Sequence, residues 1–333
     1  MQIVNYLEKG TWKNFVENHP QGNIFHTPEM YAVFSQTQGY TPSLWAAVEG
    51  AQVLALMLPV DVTLYRWLSR FTSRAIVYGG VLCDSGPEGQ EGLSRLLAQY
   101  KREKRNRGVF TEIRNISDTS DFQSIFRDNS FIHEGHLNYL INLSRTPEEV
   151  FQGFHKRTRK QISRGLRKDL LTIKTVKEKE QITECYNLLE RTYQRANVPL
   201  THRSLFESAF DVLSSKGMVK FLNAYVDGIP VATSVELFYK DVIYGWYGGM
   251  DREYSSYIPN ELLMWHILNW GAENNYHIYD FGGAGKPDED YGVRDFKAKF
   301  GGKLVNYGRN TWVHAPWTLK LSKLGYSMVR RFI

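Results

Sequence analysis

Cysteine is nearly absent: the 333 residues hold two, Cys83 and Cys185, in different halves and without C-x-x-C spacing. That argues against a disulfide framework and against a cysteine-built metal site. The nine histidines are scattered, and His266 and His277 do not make a metal-ligand spacing, so no metal is expected. There is no Walker loop, no G-x-G-x-x-G following a strand and no G-x-S-x-G elbow, which sets zinc and P-loop chemistry aside. No stretch reaches the ~18 uncharged apolar residues of a membrane span. Met1-Gln2-Ile3-Val4-Asn5 lacks the basic start and apolar run of a signal peptide. The expectation is a cytoplasmic protein in a reducing compartment.

What the chain does hold is apolar and aromatic bulk: 42% hydrophobic residues, with 20 Tyr and 18 Phe. That is enough for a large core in roughly two domains and argues against disorder. The net charge of +6 is modest but concentrated, since seven of the thirteen residues from Lys156 to Lys168 are Lys or Arg. A second run, Lys101, Arg102, Lys104, Arg105 and Arg107, closes a predicted helix. Each run reads either as a solvated helix face or as a contact for phosphate on a sugar-nucleotide, a tRNA or an anionic lipid. Residues 317–333 mix apolar side chains with Lys320, Lys323, Arg330 and Arg331. They are expected to form a helix that packs back on the first domain, with a membrane-surface helix as the alternative.

The chain repeats itself. Strands around Glu49-Gly50, a Tyr78-Gly79-Gly80 triplet, a helix and a strand through Glu112 occur in the first half. Strands around Asp227-Gly228, Tyr247-Gly248-Gly249, a helix and a strand through Asp280 occur in the second. The triplets lie 169 positions apart and the carboxylates 168. This predicts an α/β (α+β) chain of two tandem lobes, each a mixed, mostly antiparallel sheet flanked by helices. Ser144 to Glu149 has the make-up of a helix start, a capping residue and Pro followed by carboxylates. The expected boundaries are therefore 1–144 for the first lobe and 145–315 for the second, with 316–333 returning to the first.

Two segments carry candidate chemistry. Tyr279-Asp280-Phe281-Gly282-Gly283 places a carboxylate and bare backbone at the C-terminal end of a strand, where ligands approach α/β sheets. The alternative is that Asp280 caps the following turn. Fourteen residues past Gly283, Lys297 sits between aromatics in Phe296-Lys297-Ala298-Lys299-Phe300-Gly301-Gly302. A cation there would stabilise an oxyanion or hold a phosphate, or else lie on the surface of an amphipathic turn.

These two segments, with Tyr291 between them, resemble the Fem family of peptidoglycan-bridge aminoacyltransferases and its FemAB-like relatives. The likeness extends to Tyr254–Trp265, to the basic helix Lys156–Lys168 with Arg159 and Ile162, and to Phe25–Tyr31. It implies two GNAT (acetyltransferase-like) lobes and transfer of an amino acid from aminoacyl-tRNA to a peptidoglycan precursor, with no cofactor. By the same resemblance, Thr201 and Arg203 match a Thr/Arg pair that binds phosphate and peptide. Tyr254 or Tyr257 matches a tyrosine ahead of the crossover helix, and Lys297 the lysine near the reaction centre. Where the family carries a Lys after its opening helix, this chain has Phe34-Ser35-Gln36-Thr37, and no heptad run suggests a coiled-coil arm.

The expected reaction is attack by an acceptor amine on an activated ester or thioester. Lys297 and Asp280 would serve as catalytic groups. Thr201, Arg203, Arg159, Tyr254, Tyr257, Phe296, Gly282 and Gly283 would bind substrate. The acceptor would be a UDP-linked or lipid-linked envelope precursor and the protein a monomer, with peripheral association at the inner membrane face as a further expectation. Two other readings stay open: an acyl-CoA-dependent N-acyltransferase of surface or exopolysaccharide synthesis, and a non-catalytic basic binding protein. The usual Q/R-x-x-G-x-G/A pyrophosphate loop of GNAT proteins is missing before both crossover helices, which counts against acyl-CoA.

Overall fold

The computed structural model describes residues 1–63, 73–105 and 108–315. The described chain divides into two compact units, Met1–Gly135 joined by residues 307–315, and His136–Asn306. The expected helix at 316–333 lies outside the described residues. Among the described residues, no helix is long and apolar enough to cross a membrane.

The first unit holds two sheets. One orders Gln2–Val4, Trp45–Glu49, Gln52–Met57 and Leu82–Cys83. The other orders Tyr40–Pro42, Pro59–Thr63, Ser73–Tyr78, Phe110–Arg114, Arg309–Val313 and Ile132–Glu134. Every pairing in these sheets is antiparallel except that of Ser73–Tyr78 with Phe110–Arg114. Those two strands flank helix Pro87–Lys104, whose Leu93, Leu96, Leu97 and Tyr100 bury one stripe against the sheets.

The second unit is one seven-stranded sheet. Its order is Thr172–Thr175, Val219–Val226, Ile229–Tyr239, Val242–Met250, Ile278–Gly283, Leu137–Asn142 and Lys303–Asn306. Only Val242–Met250 and Ile278–Gly283 run parallel, joined by helix Pro259–Glu273. Leu262, Leu263, Ile267 and Leu268 of that helix enter a core with Phe238, Ile243, Tyr279, Phe281 and Phe300. Pro147 starts the helix Pro147–Gln152, and Thr146 and Glu149 cap it reciprocally, as the composition there predicts.

Both boundaries differ from 144 and 315. Leu137–Asn142 pairs on both sides with strands of the second unit, so the cut falls before it. Arg309–Val313 inserts between Phe110–Arg114 and Ile132–Glu134 and so belongs to the first unit. Hydrogen-bond partners across a sheet decide membership, and a helix start marks only a local change of conformation.

The loop after Lys297 is locked from below. His155 N–H donates to Lys299 O at 2.9 Å, and Phe300 packs edge-on against Phe154 with centroids 5.2 Å apart. Gly301 has φ +72°, and a Cβ on it would lie 2.4 Å from Gly153 O. Gly301→Ala therefore combines left-handed strain with a clash against backbone, and should lower the unfolding free energy by about 3 kcal/mol. Equilibrium denaturation checks this; a loss below about 0.5 kcal/mol would show that the turn is not held.

Candidate active site

The two units share one register and then part. In the first, Ile76 pairs with Glu112 across the parallel strands; in the second, Tyr244 pairs with Asp280. Each member of the second pair lies 168 positions after its counterpart. In the first unit the parallel ladder continues through Val77–Ile113 and Tyr78–Arg114. In the second it ends at Tyr244–Asp280. Beyond that point Val242–Met250 stays paired to Ile229–Tyr239, with an irregularity where Trp246 bulges out. Ile278–Gly283 stays paired to Leu137–Asn142 on its other side. A gap therefore opens between two central strands, and Tyr244, Gly245, Trp246 and Tyr247 are half-exposed in the middle of a seven-stranded sheet. Trp246 and Tyr247 meet Phe206 and Tyr193 in tilted and edge-on ring contacts, which gives the strand an aromatic lining.

The corresponding place in the first unit is covered by its own chain. Asn23 Nδ2 donates to Gly79 O at 3.0 Å, and a ring nitrogen of the buried His26 lies 3.2 Å from Gly80 O. Phe25 and Phe34 stack on Tyr78. Glu112 is ion-paired with Arg114 and Arg309; burial raises its pKa, but the two guanidiniums outweigh that and hold it below the ordinary carboxylate range.

At the second unit's strand end, Asp280 Oδ1 accepts from Gly282 N–H and from Asn138 Nδ2, both at 2.7 Å. This is the turn-capping arrangement anticipated as the alternative to a catalytic one. Burial pushes the carboxyl up to about 6, while the bonds from Asn138 and Gly282 and the charge of Lys297 pull it back. Lys297 is 8% exposed, and its Nζ donates to the carbonyls of Phe281 (2.6 Å), Gly282 (3.2 Å) and Gly283 (2.8 Å). An ammonium has three N–H groups, so these carbonyls use its donor capacity while its charge stays beside the gap. Burial lowers its pKa to about 8, opposed by Asp280.

Asp280, Gly282, Gly283 and Lys297 thus form one cluster, and Phe296 packs beside it on Phe300. The other candidate residues have local engagements. Arg159 donates to Gln152 O (2.6 Å) and Phe154 O (2.8 Å), closing the end of the preceding helix. Arg203 pairs with Glu207 at 2.7 Å, and Thr201 O accepts from Tyr186 Oη. Tyr254 and Tyr257 lie 6.1 Å apart, half-buried in the turn before helix Pro259–Glu273.

Sequence reasoning missed Glu236. It is 1% exposed, on the strand facing Gly245, and accepts from Tyr279 Oη at 3.1 Å. A Cβ on Gly245 would come within 2.5 Å of that hydroxyl, so the absence of a side chain lets Tyr279 reach across to Glu236. A lone carboxylate in a segment otherwise free of charge, Ile229–Tyr239, was the available clue.

Burial raises Glu236 to about 7, only partly offset by the Ser234 and Tyr279 hydroxyls. A carboxyl whose folded pKa is raised contributes stability that is full below its unfolded pKa and is lost as pH rises through the folded one. The gap from 4.5 to about 7 corresponds to about 3 kcal/mol. Glu236→Gln should therefore gain on the parent protein by up to that amount as pH rises from about 4.5 to 7. Denaturation midpoints across this range test it, and parallel curves would remove Glu236 as the source.

The Acetyltransferase (GNAT) domain family matches residues 152–297, inside the second unit and ending at Lys297. The Lipid II:glycine glycyltransferase of Staphylococcus haemolyticus is 26% identical over 121 residues, covering 34% of this chain and 29% of that protein. The match thus spans under a third of that relative's length. The crystal structure of FemX superposes with a TM-score of 0.73 at 16% identity, covering 97% of this chain and 99% of the other. A tandem GNAT protein from the clavulanic acid biosynthesis pathway does so with 0.60 at 10%, covering 95% and 99%. The duplicated register and these superpositions give the chain the fold of tandem GNAT proteins, with residues 152–297 similar to the Acetyltransferase (GNAT) domain family and a segment similar to a Lipid II:glycine glycyltransferase.

Proposed function

We propose that the protein transfers an aminoacyl group from aminoacyl-tRNA to an amine on a peptidoglycan precursor, in the strand gap of the second unit. The observation that carries this reading is the ladder that stops at Tyr244–Asp280, with a buried cation fixed beside the opening. Strand ends that lack a neighbour expose backbone polar groups to a ligand, and a carbonyl bound there would develop its oxyanion in a partly dry site. Lys297 supplies positive charge to that region and holds the carbonyls of Phe281, Gly282 and Gly283 in place. Asp280 acts as a positioning residue through its bond to Gly282 N–H. The relative named as a Lipid II:glycine glycyltransferase supports a cell-envelope acceptor and an aminoacyl donor.

The acyl-CoA reading is weaker on one structural point. A helix N-terminus binds phosphate through its free N–H groups. Helix Pro259–Glu273 begins with Pro259, which has none, after a non-glycine residue, Ile258, in the left-handed region. The turn thus offers one backbone donor fewer than a glycine-led start would, which disfavours a pyrophosphate there.

The protein incubated with charged tRNA and nucleotide-linked or lipid-linked precursors should label the precursor's free amine. Ribonuclease treatment of the donor should abolish that labelling. Thiol release from acyl-CoA, with no dependence on tRNA, would overturn the donor assignment. Lys297→Gln, in a sample whose melting shows it folded, should lose about 10²-fold in kcat/KM. Because the ammonium deprotonates near pH 8, transfer by the parent protein should fall as pH rises through that value.

A further inference from the structure

Helix Lys156–Arg167 carries an unbalanced surface. Its Thr158, Ile162 and Gly165 are buried at helical spacing, and Gly165 lets Leu262 and Ile258 pack to within 3.2–3.3 Å of where a Cβ would sit. The opposite face exposes Lys156, Arg157, Lys160, Arg164, Arg167 and, at the cap, Lys168. No carboxylate occurs from Val150 to Lys168. None of these six cations is paired among the described residues; Arg159, the seventh, is the one turned inward. The first turn holds Lys156 and Arg157 and no acid, the reverse of what the helix dipole favours, so the charge serves nothing inside the unit.

Among these cations stands an exposed leucine. Leu166 is 56% exposed and borders a recess of about 310 Å³ lined by Leu170, Leu171 and Trp265 and, on its polar side, by Asp169, His266 and Asn269. Cations around an aliphatic tip are the chemistry of an interfacial helix, in which headgroup phosphates meet the charges and the apolar side chain enters the acyl boundary. A single-stranded nucleic acid would instead ask for exposed aromatic rings, and the 156–168 segment contains none.

We propose that the exposed face of helix Lys156–Arg167, centred on Arg157, Arg164, Lys168 and Leu166, docks on a bilayer of anionic phospholipid. The face goes beyond the proposed reaction and does not depend on it, since it is read by binding without turnover. It gives the second unit its own attachment to a membrane surface.

The test is co-sedimentation of the full chain with phosphatidylcholine vesicles, with and without phosphatidylglycerol. Binding should require phosphatidylglycerol and fall with salt. Each lost cation costs roughly fivefold in partitioning, so Arg157→Glu, Arg164→Glu and Lys168→Glu together should weaken binding by at least about 100-fold. Leu166→Ser, which changes no charge, should weaken it several-fold while leaving the melting temperature within a degree or two of the parent. Equal binding to both vesicle types would overturn the proposal, as would binding that survives the triple reversal. So would a Leu166→Ser variant that binds vesicles unchanged while the triple reversal abolishes RNA binding, which would assign the face to nucleic acid.

Discussion

Two parallel strands joined by a helix share a ladder only as long as both follow the same twist, and each backbone group past the last rung needs another partner. In the second unit that last rung is Tyr244–Asp280. Beyond it Val242–Met250 follows Ile229–Tyr239, while Phe281–Gly283 turns its carbonyls to Lys297. The gap, its half-exposed aromatic strand and the buried ammonium are consequences of that single divergence. The first unit keeps the same register for two more pairs and then covers the strand end with Asn23–His26. A duplicated architecture thus carries one open strand end and one closed one.

Buried titratable groups concentrate on either side of the divergence. Asp280, Glu236 and Lys297 are each at most 8% exposed, and each has its pKa displaced toward neutrality by burial. The first unit's Glu112 is held ionised by two arginines instead. Perturbed groups cluster where a fold does work, although structural networks displace pKa values as well. Here the groups tie the strand end together through their hydrogen bonds and lie next to the opening.

Much of this was legible beforehand, because it depended on local chemistry or on spacing. The 168-residue repeat reappears as an identical strand register, and the turn cap at Asp280, the alternative to a ligand-facing carboxylate, was open to composition. Lys297 stood out through its aromatic neighbours. What composition does not carry is the orientation of a side chain. Arg159 and Arg203 look like free cations in sequence but are spent on neighbouring carbonyls and on Glu207. Glu236 escaped because a lone carboxylate in an otherwise uncharged strand gains meaning only when its partner is seen, and that partner, Tyr279, is 43 positions away. Unit boundaries failed for a related reason, since Leu137–Asn142 and Arg309–Val313 are assigned by the strands they pair with.

The strand Arg309–Val313 lies between Phe110–Arg114 and Ile132–Glu134 in the first unit's sheet, although the whole second unit separates it from them along the chain. A ribosome adding roughly 5–20 residues per second exposes Phe110–Arg114 long before that strand is made. During that interval the growing chain carries an unpaired sheet edge, while residues 136–306 already hold every strand of their own sheet. The N-terminal unit should therefore be the last to complete its folding, reversing the usual order of synthesis, and truncation before residue 309 should leave it open-edged and prone to aggregate.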